Sequence, residues 1–217
     1  MRADDCSADR KIVGVISSVV IVNAFLFFLS RNQTFIHIDA IAHVNKARGL
    51  FDNVTPGILQ LGSVWLPLPH LLISPLTWFD GLWRSGAAGS LLSMACYVAT
   101  SVLLYSIGHA WTRSAFVAWM SFLLFALNPR LIYLFTTPMT EPLMIVCIAG
   151  FVYYLIRWTQ DDDWTSLALA ALMVFAGTWT RYEGWAIAAA AVASIPILAR
   201  TRRIVSTILF AGAACAG

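Results

Sequence analysis

Charged residues are scarce in this chain of 217 residues. Asp, Glu, Lys and Arg together make up 12% of the sequence, whereas hydrophobic residues make up 59% and the mean hydropathy is +0.76. A soluble domain carries about 25% charged residues, so this composition excludes an ordinary soluble domain and predicts an integral membrane protein. The formal net charge of +3 is small, and it is too dispersed to indicate a nucleic-acid partner.

Cysteines are few as well. The four cysteines lie far apart, without a CxxC pair or any other metal-ligand spacing: Cys6, Cys96, Cys147 and Cys215. Neither a disulfide framework nor a zinc site is therefore predicted, and a divalent metal cofactor is left open. Internal repeats and low-complexity segments are not evident either.

Long hydrophobic runs are what the chain has instead. A transmembrane helix needs on the order of 20 apolar residues, and we interpret seven runs in this way: 12–30, 87–108, 115–134, 142–157, 165–180, 185–199 and 204 to the end. The sequence therefore predicts an all-α, polytopic transmembrane bundle of about seven spans. The first run follows Arg10 and Lys11, as in a signal peptide, but it is long and has no small-residue cleavage site, so we expect it to remain as an anchor. The last run has no flanking charges, so we expect residues 1–217 to be a single domain that forms the N-terminal portion of a longer chain.

The basic residues in the short connections predict an orientation. Placing them all in the cytoplasm gives one consistent alternation of the spans, with the N-terminus inside the cell; they are Arg2, Arg10, Lys11, Arg113, Arg157, Arg200, Arg202 and Arg203. The outer face of the plasma (inner) membrane then receives a long first loop, about 31–86, and the connections 128–141 and 180–184. These three segments hold the polar candidates for a functional site.

The first loop begins with an amphipathic pattern over residues 35–51. Read as a helix, this stretch places Asp39, His43 and Lys46 on one face. Ile41, Val44, Ala47 and Phe51 take the other face, together with Arg48. An interfacial helix of this kind would place catalytic groups beside a lipid-borne substrate. The alternative interpretation is that Asp39 only caps the helix.

His70 lies in a second apolar segment of the same loop, residues 60–76. Pro67 and Pro69 argue against a regular helix just before His70, and the remainder is too short to span a membrane. We expect an interfacial or re-entrant segment in which His70 faces the acid of the first helix. The alternative is a lone histidine that only binds backbone groups.

Two further acids lie at the starts of apolar runs. Glu141 directly precedes Pro142, where an acid is favoured by the helix dipole without any function. A carboxylate at this depth is costly unless it is paired or hydrated, and Arg130 is close in sequence. Arg181 and Glu183 share a tight turn, where they either pair as a structural clasp or leave Arg181 to bind a phosphate.

Four sequence patterns together resemble a known family. They are D-x-x-x-H followed by A-R (Asp39, His43, Ala47, Arg48), G-x-x-W-L-P-L-x-H (Gly62 to His70), T-P-x-T-E-P (Thr137 to Pro142) and T-R-Y-E-G-W (Thr180 to Trp185). In their order and common sidedness they resemble the GT-C glycosyltransferases that use polyprenyl- or dolichyl-phosphate sugars, the protein O-mannosyltransferase and lipid A aminoarabinose transferase-like group. The acidic pair often found in the first loop of that family is Asp39-Ala40 here, so the second acid would be Glu141.

The resemblance implies a membrane glycosyltransferase that moves a sugar from a lipid-linked donor to a hydroxyl of a protein or glycolipid acceptor, in contact with membrane lipid. Asp39 and Glu141 would be its catalytic residues, with Asp39 taking the proton of the acceptor hydroxyl. The implied substrate-binding residues are His43, Lys46, Arg48, His70, Arg130, Arg181 and Glu183. A transporter or lipid flippase is the main alternative, and a non-catalytic assembly subunit is a third. An enzyme requires Asp39, Glu141 and an outer Arg or Lys to converge on one cavity open to lipid, whereas a transporter requires a cavity at the membrane midplane.

The orientation is tested by cysteine accessibility. We expect Asp52→Cys and Asp162→Cys, each in a background without the native cysteines, to react with a membrane-impermeant maleimide from opposite sides of the membrane. Labelling of both positions from the same side would show that the predicted alternation, and the common sidedness of the polar segments, is wrong.

Overall fold

The computed structural model describes residues 3–61, 64–199 and 203–214. They are helical for most of their length and contain no strand, which confirms the all-α prediction. Gly62 of the sequence patterns, and Arg2, Arg200 and Arg202 of the basic set, lie outside the described residues. The helices are α1 (Ala3–Ser30), α2 (Ile38–Arg48), α3 (Pro67–Thr77), α4 (Asp80–Arg84), α5 (Ala87–Thr112), α6 (Ala115–Ala126), α7 (Pro129–Leu134), α8 (Glu141–Asp161), α9 (Trp164–Thr178), α10 (Glu183–Leu198) and α11 (Arg203–Ala214), with a 3-10 turn at Ile58–Leu61.

Three of the described helices are long and apolar enough to cross a membrane: Ser7–Ser30 within α1, all of α5 and all of α8. The apolar helices α6, α9, α10 and α11 are shorter. The predicted single span 115–134 is wrong, because α6 ends at Ala126 and α7 starts at Pro129. The side chain of Asn128 accepts hydrogen bonds from the backbone N–H groups of Arg130 and Leu131 and so caps α7. Pro129 supplies no N–H and suits the first position of a new helix.

Helix α5 lies at the centre and packs against α1, α6 and α8. It runs parallel to α8. Near their N-terminal ends Ser93 Oγ donates to the Thr137 carbonyl (2.7 Å), and near their C-terminal ends Gln160 Nε2 donates to the Ala110 carbonyl (2.8 Å). Helix α1 runs antiparallel to α5, since Tyr105 in the last turns of α5 donates to Asp9 Oδ2 (2.6 Å). Helix α9 packs on α8, and α10 and α11 pack on α9.

This topology gathers the three polar connections at one end of the bundle. The Tyr133 hydroxyl donates to the Gln33 carbonyl (3.0 Å), which joins the 127–140 connection to the first loop. The backbone N–H of Leu68 donates to the Trp179 carbonyl (3.1 Å), which joins the first loop to the third connection. The turns that end α5 and α8 lie together at the opposite end, where Arg113 donates to Gln160 (3.5 Å). The sequence predicted this common sidedness from its basic residues alone.

Two hydrophobic clusters fill the bundle. One joins α1, α5 and α6 and includes the fully buried Tyr97, Phe122 and Phe135; the other joins α8 to α11 and includes the buried Leu167 and Ile195. The outward surfaces of these helices are also apolar, as for a protein whose solvent is lipid; examples are Val15, Val19, Leu124, Ile197 and Ile208.

The first loop folds onto the end of the bundle as α2, α3 and α4. Helix α2 packs against α3 and buries a stripe of Ala40, His43, Val44 and Ala47. The predicted faces of α2 are therefore partly wrong, because His43 is only 3% exposed whereas Ile41 is 42% exposed. The buried face of α2 is the one that contacts α3, and it differs from the face that α2 would turn towards a flat membrane surface.

Both helix starts in this loop differ from the sequence-based interpretation. The N-cap of α2 is His37 rather than Asp39, which lies in the first turn, so the capping interpretation of Asp39 is wrong. Helix α3 begins at Pro67 and includes Pro69, so prolines do not prevent a helix before His70. The N–H groups of a first turn have no partner within the helix, and prolines there cost little.

Arg48 holds this loop together. Its guanidinium binds the carboxylates of Asp52 (2.7 Å) and Asp80 (2.8 Å) and donates to the Thr77 carbonyl (2.7 Å). It also lies over the ring of Trp83, 4.7 Å from its centroid. Arg48 therefore ties α2 to the end of α3 and to α4.

Gly184 allows α10 to start against the end of α9. A Cβ at position 184 would overlap the carbonyl group of Gly177 and lie 2.8 Å from the backbone nitrogen of Thr178. We expect Gly184→Ala to lower the free energy of unfolding by about 1–3 kcal/mol, because backbone atoms cannot move aside cheaply. Thermal unfolding in detergent measures this loss.

Gly212→Ala in α11 is the matched control. A Cβ there meets no atom within 4 Å, and alanine favours a helix by about 1 kcal/mol over glycine. Equal stability changes in the two variants would contradict the close packing at Gly184.

Candidate functional site

A pocket of about 310 Å³ lies at the polar end of the bundle, where the three connections meet. The first loop, the start of α8 and the turn before α10 all contribute to its wall. The lining residues are Asp39, His43, Val64, Trp65, Leu66, Met139, Thr140, Glu141, Thr180, Arg181, Tyr182 and Glu183.

Four helices begin at this pocket. Leu66 is the N-cap of α3, and the acids Asp39, Glu141 and Glu183 lie in the first turns of α2, α8 and α10. A helix N-terminus carries roughly half a positive charge, so each acid is stabilised by its own helix. The sequence shows an acid at the start of three of these four segments, and the stabilising effect of the helix dipole was considered only for Glu141.

Arg181 joins two of these helix starts. Its Nη1 donates to Glu141 Oε1 (2.8 Å) and to Thr140 Oγ1 (3.1 Å), while its Nη2 donates to Glu183 Oε1 (2.9 Å). The hydrogen bond to Glu183 raises the pKa of Arg181 and lowers the pKa of Glu183. The clasp interpretation is therefore the one that the geometry favours, and Arg181 faces carboxylates rather than an open phosphate site.

The two carboxylate oxygens of Glu141 differ in their hydrogen bonding. Oε1 accepts from Arg181, whereas Oε2 is buried and has no hydrogen-bond partner among the described residues. A buried acceptor without a donor costs about 1–3 kcal/mol.

The two histidines of the first loop contact each other. His43 Nδ1 lies 3.0 Å from His70 Nε2, and His70 Nδ1 lies 3.0 Å from the Leu66 carbonyl oxygen. His70 is fully buried and faces His43, so the expectation that it faces the acid is wrong. Burial lowers the pKa of each histidine to about 4; Asp39 opposes the shift of His43, and the neighbouring His43 adds to that of His70.

The other predicted basic residues lie at the edge of the pocket or beyond it. Lys46 lies beside the pocket residue Trp65, with Nζ 6.0 Å from a ring centroid. Arg48 is held by Asp52 and Asp80, and Arg130 is exposed on α7; neither lines the pocket as described. The substrate-binding role expected of Arg48 and Arg130 therefore does not fit their positions.

The structure thus brings together Asp39, His43, Glu141, Arg181 and Glu183, with His70 directly behind His43. The sequence analysis did not single out Tyr182 or Trp65 as site residues. The lining carries three carboxylates and one guanidinium, so it favours ligands that donate hydrogen bonds. The described residues include no group of three or more His, Cys, Asp or Glu side chains placed to hold a metal ion.

The Arg181 clasp predicts a pH-dependent stability. We expect Arg181→Gln to lower the free energy of unfolding by about 1–2 kcal/mol at pH 7, because it leaves two neighbouring carboxylates unpaired. The folded pKa of Glu183 is depressed below 4.5. The stabilisation is therefore present above that pH and is lost as the pH falls through the depressed pKa. Denaturant unfolding of variant and wild type at several pH values measures the difference.

Arg157→Gln is the matched control for the clasp. It removes an exposed pair with Asp161 within α8 (2.8 Å), and both side chains are nearly half exposed. We expect it to cost under about 0.5 kcal/mol. An equal effect of both variants, or a loss in Arg181→Gln that does not diminish in acid, would contradict the clasp.

Comparison with known proteins supplies no family for this site. No protein-family model matches the chain, no curated protein matches it, and no solved structure matches it. The pocket residues and their geometry are therefore the basis on which a function is proposed.

Proposed function

We propose that the protein is an integral membrane glycosyltransferase. It moves a sugar from a polyprenyl- or dolichyl-phosphate donor to an acceptor hydroxyl of a protein or glycolipid. The observation that carries the proposal is the convergence of Asp39, Glu141 and Arg181, which are far apart in sequence, on one pocket at the polar end of an apolar helical bundle. Groups with these charges are what sugar transfer at a membrane surface requires.

The membrane arrangement is part of the proposal. Helices α1, α5 and α8 are long and apolar enough to cross the membrane, and in the proposed arrangement the shorter helices α6, α9, α10 and α11 bring the number of spans to about seven. The N-terminus lies in the cytoplasm, so the pocket opens at the outer face of the inner membrane. In this position a lipid-linked sugar can reach the pocket while its chain stays in the bilayer.

Asp39 acts as the general base. Its side chain is exposed and lines the pocket, whereas Glu141 Oε1 is already bound by Arg181. The acceptor oxygen forms a bond to the anomeric carbon of the sugar, and the bond between that carbon and the phosphate oxygen breaks. The lipid phosphate leaves with the bonding electron pair, and Asp39 takes the acceptor proton. Because the leaving group is a phosphate, a general acid is less needed than in glycoside hydrolysis.

The remaining lining suits a sugar. Asp39 and Glu183 are exposed carboxylates of the lining, and sugar hydroxyls can donate to them. Trp65 and Tyr182 offer aromatic faces for the apolar face of the ring. Lys46 at the rim supplies positive charge for the phosphate, in place of the substrate-binding role expected of Arg48 and Arg130.

A transporter or flippase is less well supported. Such proteins place their polar site near the membrane midplane on interrupted helices. The pocket instead lies at the starts of α2, α3, α8 and α10, beside the loop that covers the end of the bundle.

The test compares two carboxylates in the full-length protein. We expect Asp39→Asn to lower turnover by roughly 10²–10⁴-fold, because the amide keeps the size of the side chain and loses the basic oxygen. Transfer is measured in membranes or detergent with a panel of polyprenyl-phosphate hexoses and pentoses and hydroxylated acceptors. Asp52→Asn makes the same change in the same loop outside the pocket, where Asp52 binds Arg48, and should transfer normally.

Glu141→Gln decides between the two acids. If Asp39→Asn keeps turnover near that of the wild type while Glu141→Gln abolishes it, the base is Glu141. If both variants transfer normally, the catalytic role of the pocket is wrong. If the wild type transfers none of the panel, the glycosyltransferase proposal itself fails.

A further inference from the structure

A series of three hydrogen-bonding groups runs from the interior of the first loop to the pocket wall. The Leu66 carbonyl oxygen lies 3.0 Å from His70 Nδ1, and His70 Nε2 lies 3.0 Å from His43 Nδ1. His70 is completely buried and His43 is 3% exposed. Of the two histidines, His43 lines the pocket and His70 supports it from behind.

The chemistry of these groups fixes where the protons are. A carbonyl oxygen only accepts, so the proton of His70 must be on Nδ1. In a neutral His70 the other nitrogen, Nε2, is then an acceptor, and His43 must donate to it from Nδ1. A neutral His43 with its proton on Nδ1 has an unprotonated Nε2. The backbone carbonyl of Leu66 thus determines the tautomer of both rings.

The surroundings keep both rings neutral. Burial opposes a charge on either imidazole, and the nearby cations Arg181 and Lys46 act in the same direction; Asp39 is the nearby group that opposes them at His43. The indole of Trp65 packs 4.7 Å from the His43 ring and restricts its rotation.

We propose that the Leu66 carbonyl and His70 hold His43 in the tautomer whose Nε2 is an uncharged acceptor, and that this nitrogen receives the hydrogen bond of a ligand hydroxyl in the pocket. His70 is then a positioning residue and His43 a binding residue. The tautomer of His43 is a property of the folded chain alone. The use of its Nε2 for a sugar or acceptor hydroxyl rests on the proposed function.

An uncharged acceptor solves a problem that is specific to this pocket. Asp39, Glu141 and Glu183 already place three carboxylates around one guanidinium, and a fourth anion would repel the phosphate of a lipid-linked sugar. A free imidazole would change its charge near pH 6.5, within the working range of most enzymes. The His70–His43 series adds accepting capacity without adding a charge or a titration at neutral pH.

Nitrogen NMR tests the series directly. Residues 1–217 contain four histidines, so after ¹⁵N labelling of the histidines the signals of His43 and His70 are assigned by single substitutions. We expect His43 to show a protonated Nδ1 and an unprotonated Nε2 from about pH 5.5 to 8. A protonated Nε2, or titration of His43 near pH 6.5, would overturn the proposal.

Two substitutions of His70 show whether it sets the tautomer. We expect His70→Leu, which removes the acceptor, to move His43 towards the form with its proton on Nε2. His70→Gln retains an oxygen that can accept from His43, so it should keep the Nδ1-protonated form and serves as the second test if the leucine variant does not fold. His37→Gln, at an exposed histidine of the same helix start, should leave the His43 signals unchanged. An unchanged tautomer in His70→Leu would overturn the positioning role.

Kinetics test the use of Nε2 with whichever lipid-phosphate sugar and acceptor support transfer. We expect His70→Leu to raise KM for the ligand that binds His43 about tenfold and to change kcat by less than about threefold, with His70→Gln closer to the wild type. A changed tautomer with unchanged KM values would overturn the binding role alone. Absence of transfer in the wild type would contradict the proposed function, and the NMR result would still decide the hydrogen-bonded series.

Discussion

The site depends on one guanidinium between two carboxylates. Glu141 and Glu183 begin different helices, α8 and α10, and Arg181 reaches both from the turn that precedes Glu183. Without it, two acids at neighbouring helix starts would repel each other and the pocket wall would open. The position of Arg181 depends in turn on Gly184, which lets α10 start against the backbone of Gly177. The short T-R-Y-E-G-W segment therefore contains both the charge that closes the wall and the glycine that places it.

The electrostatic character of the pocket is a balance between side chains and backbone. Its carboxylates outnumber its guanidinium, yet four helix N-termini point partial positive charges at the same space. The acids therefore lie at helix starts, where the backbone favours negative charge. In the proposed function, the phosphate of the donor would lie at the rim, near Lys46 and away from the carboxylates. This separation agrees with a ligand that has a hydroxyl-rich part and an anionic part joined to a lipid.

Much of the fold follows from hydrophobicity and charge. The long helices α1, α5 and α8 match apolar runs, and the basic residues of the short turns predicted that the three polar segments share one side. The break at Asn128-Pro129 was missed because both flanking segments are apolar, so hydropathy alone does not show it. The buried face of α2 and the His43–His70 contact depend on how α3 packs, and periodicity within one helix carries no information on a partner. For the same reason Arg48 was predicted to bind substrate, whereas long-range contacts with Asp80 and the Thr77 carbonyl hold it outside the pocket.

The bond between the Leu68 N–H and the Trp179 carbonyl (3.1 Å) closes the first loop onto the turn that carries Arg181. Both partners are backbone groups, so almost any pair of side chains at these two positions preserves the bond, and only proline at position 68 removes the donor. A substitution at one of these positions therefore requires no compensating substitution at the other. Correlated substitutions between related sequences would therefore not reveal this junction, although it joins the two halves of the pocket. Such correlations are expected instead between positions 141, 181 and 183, where charged side chains make the contact.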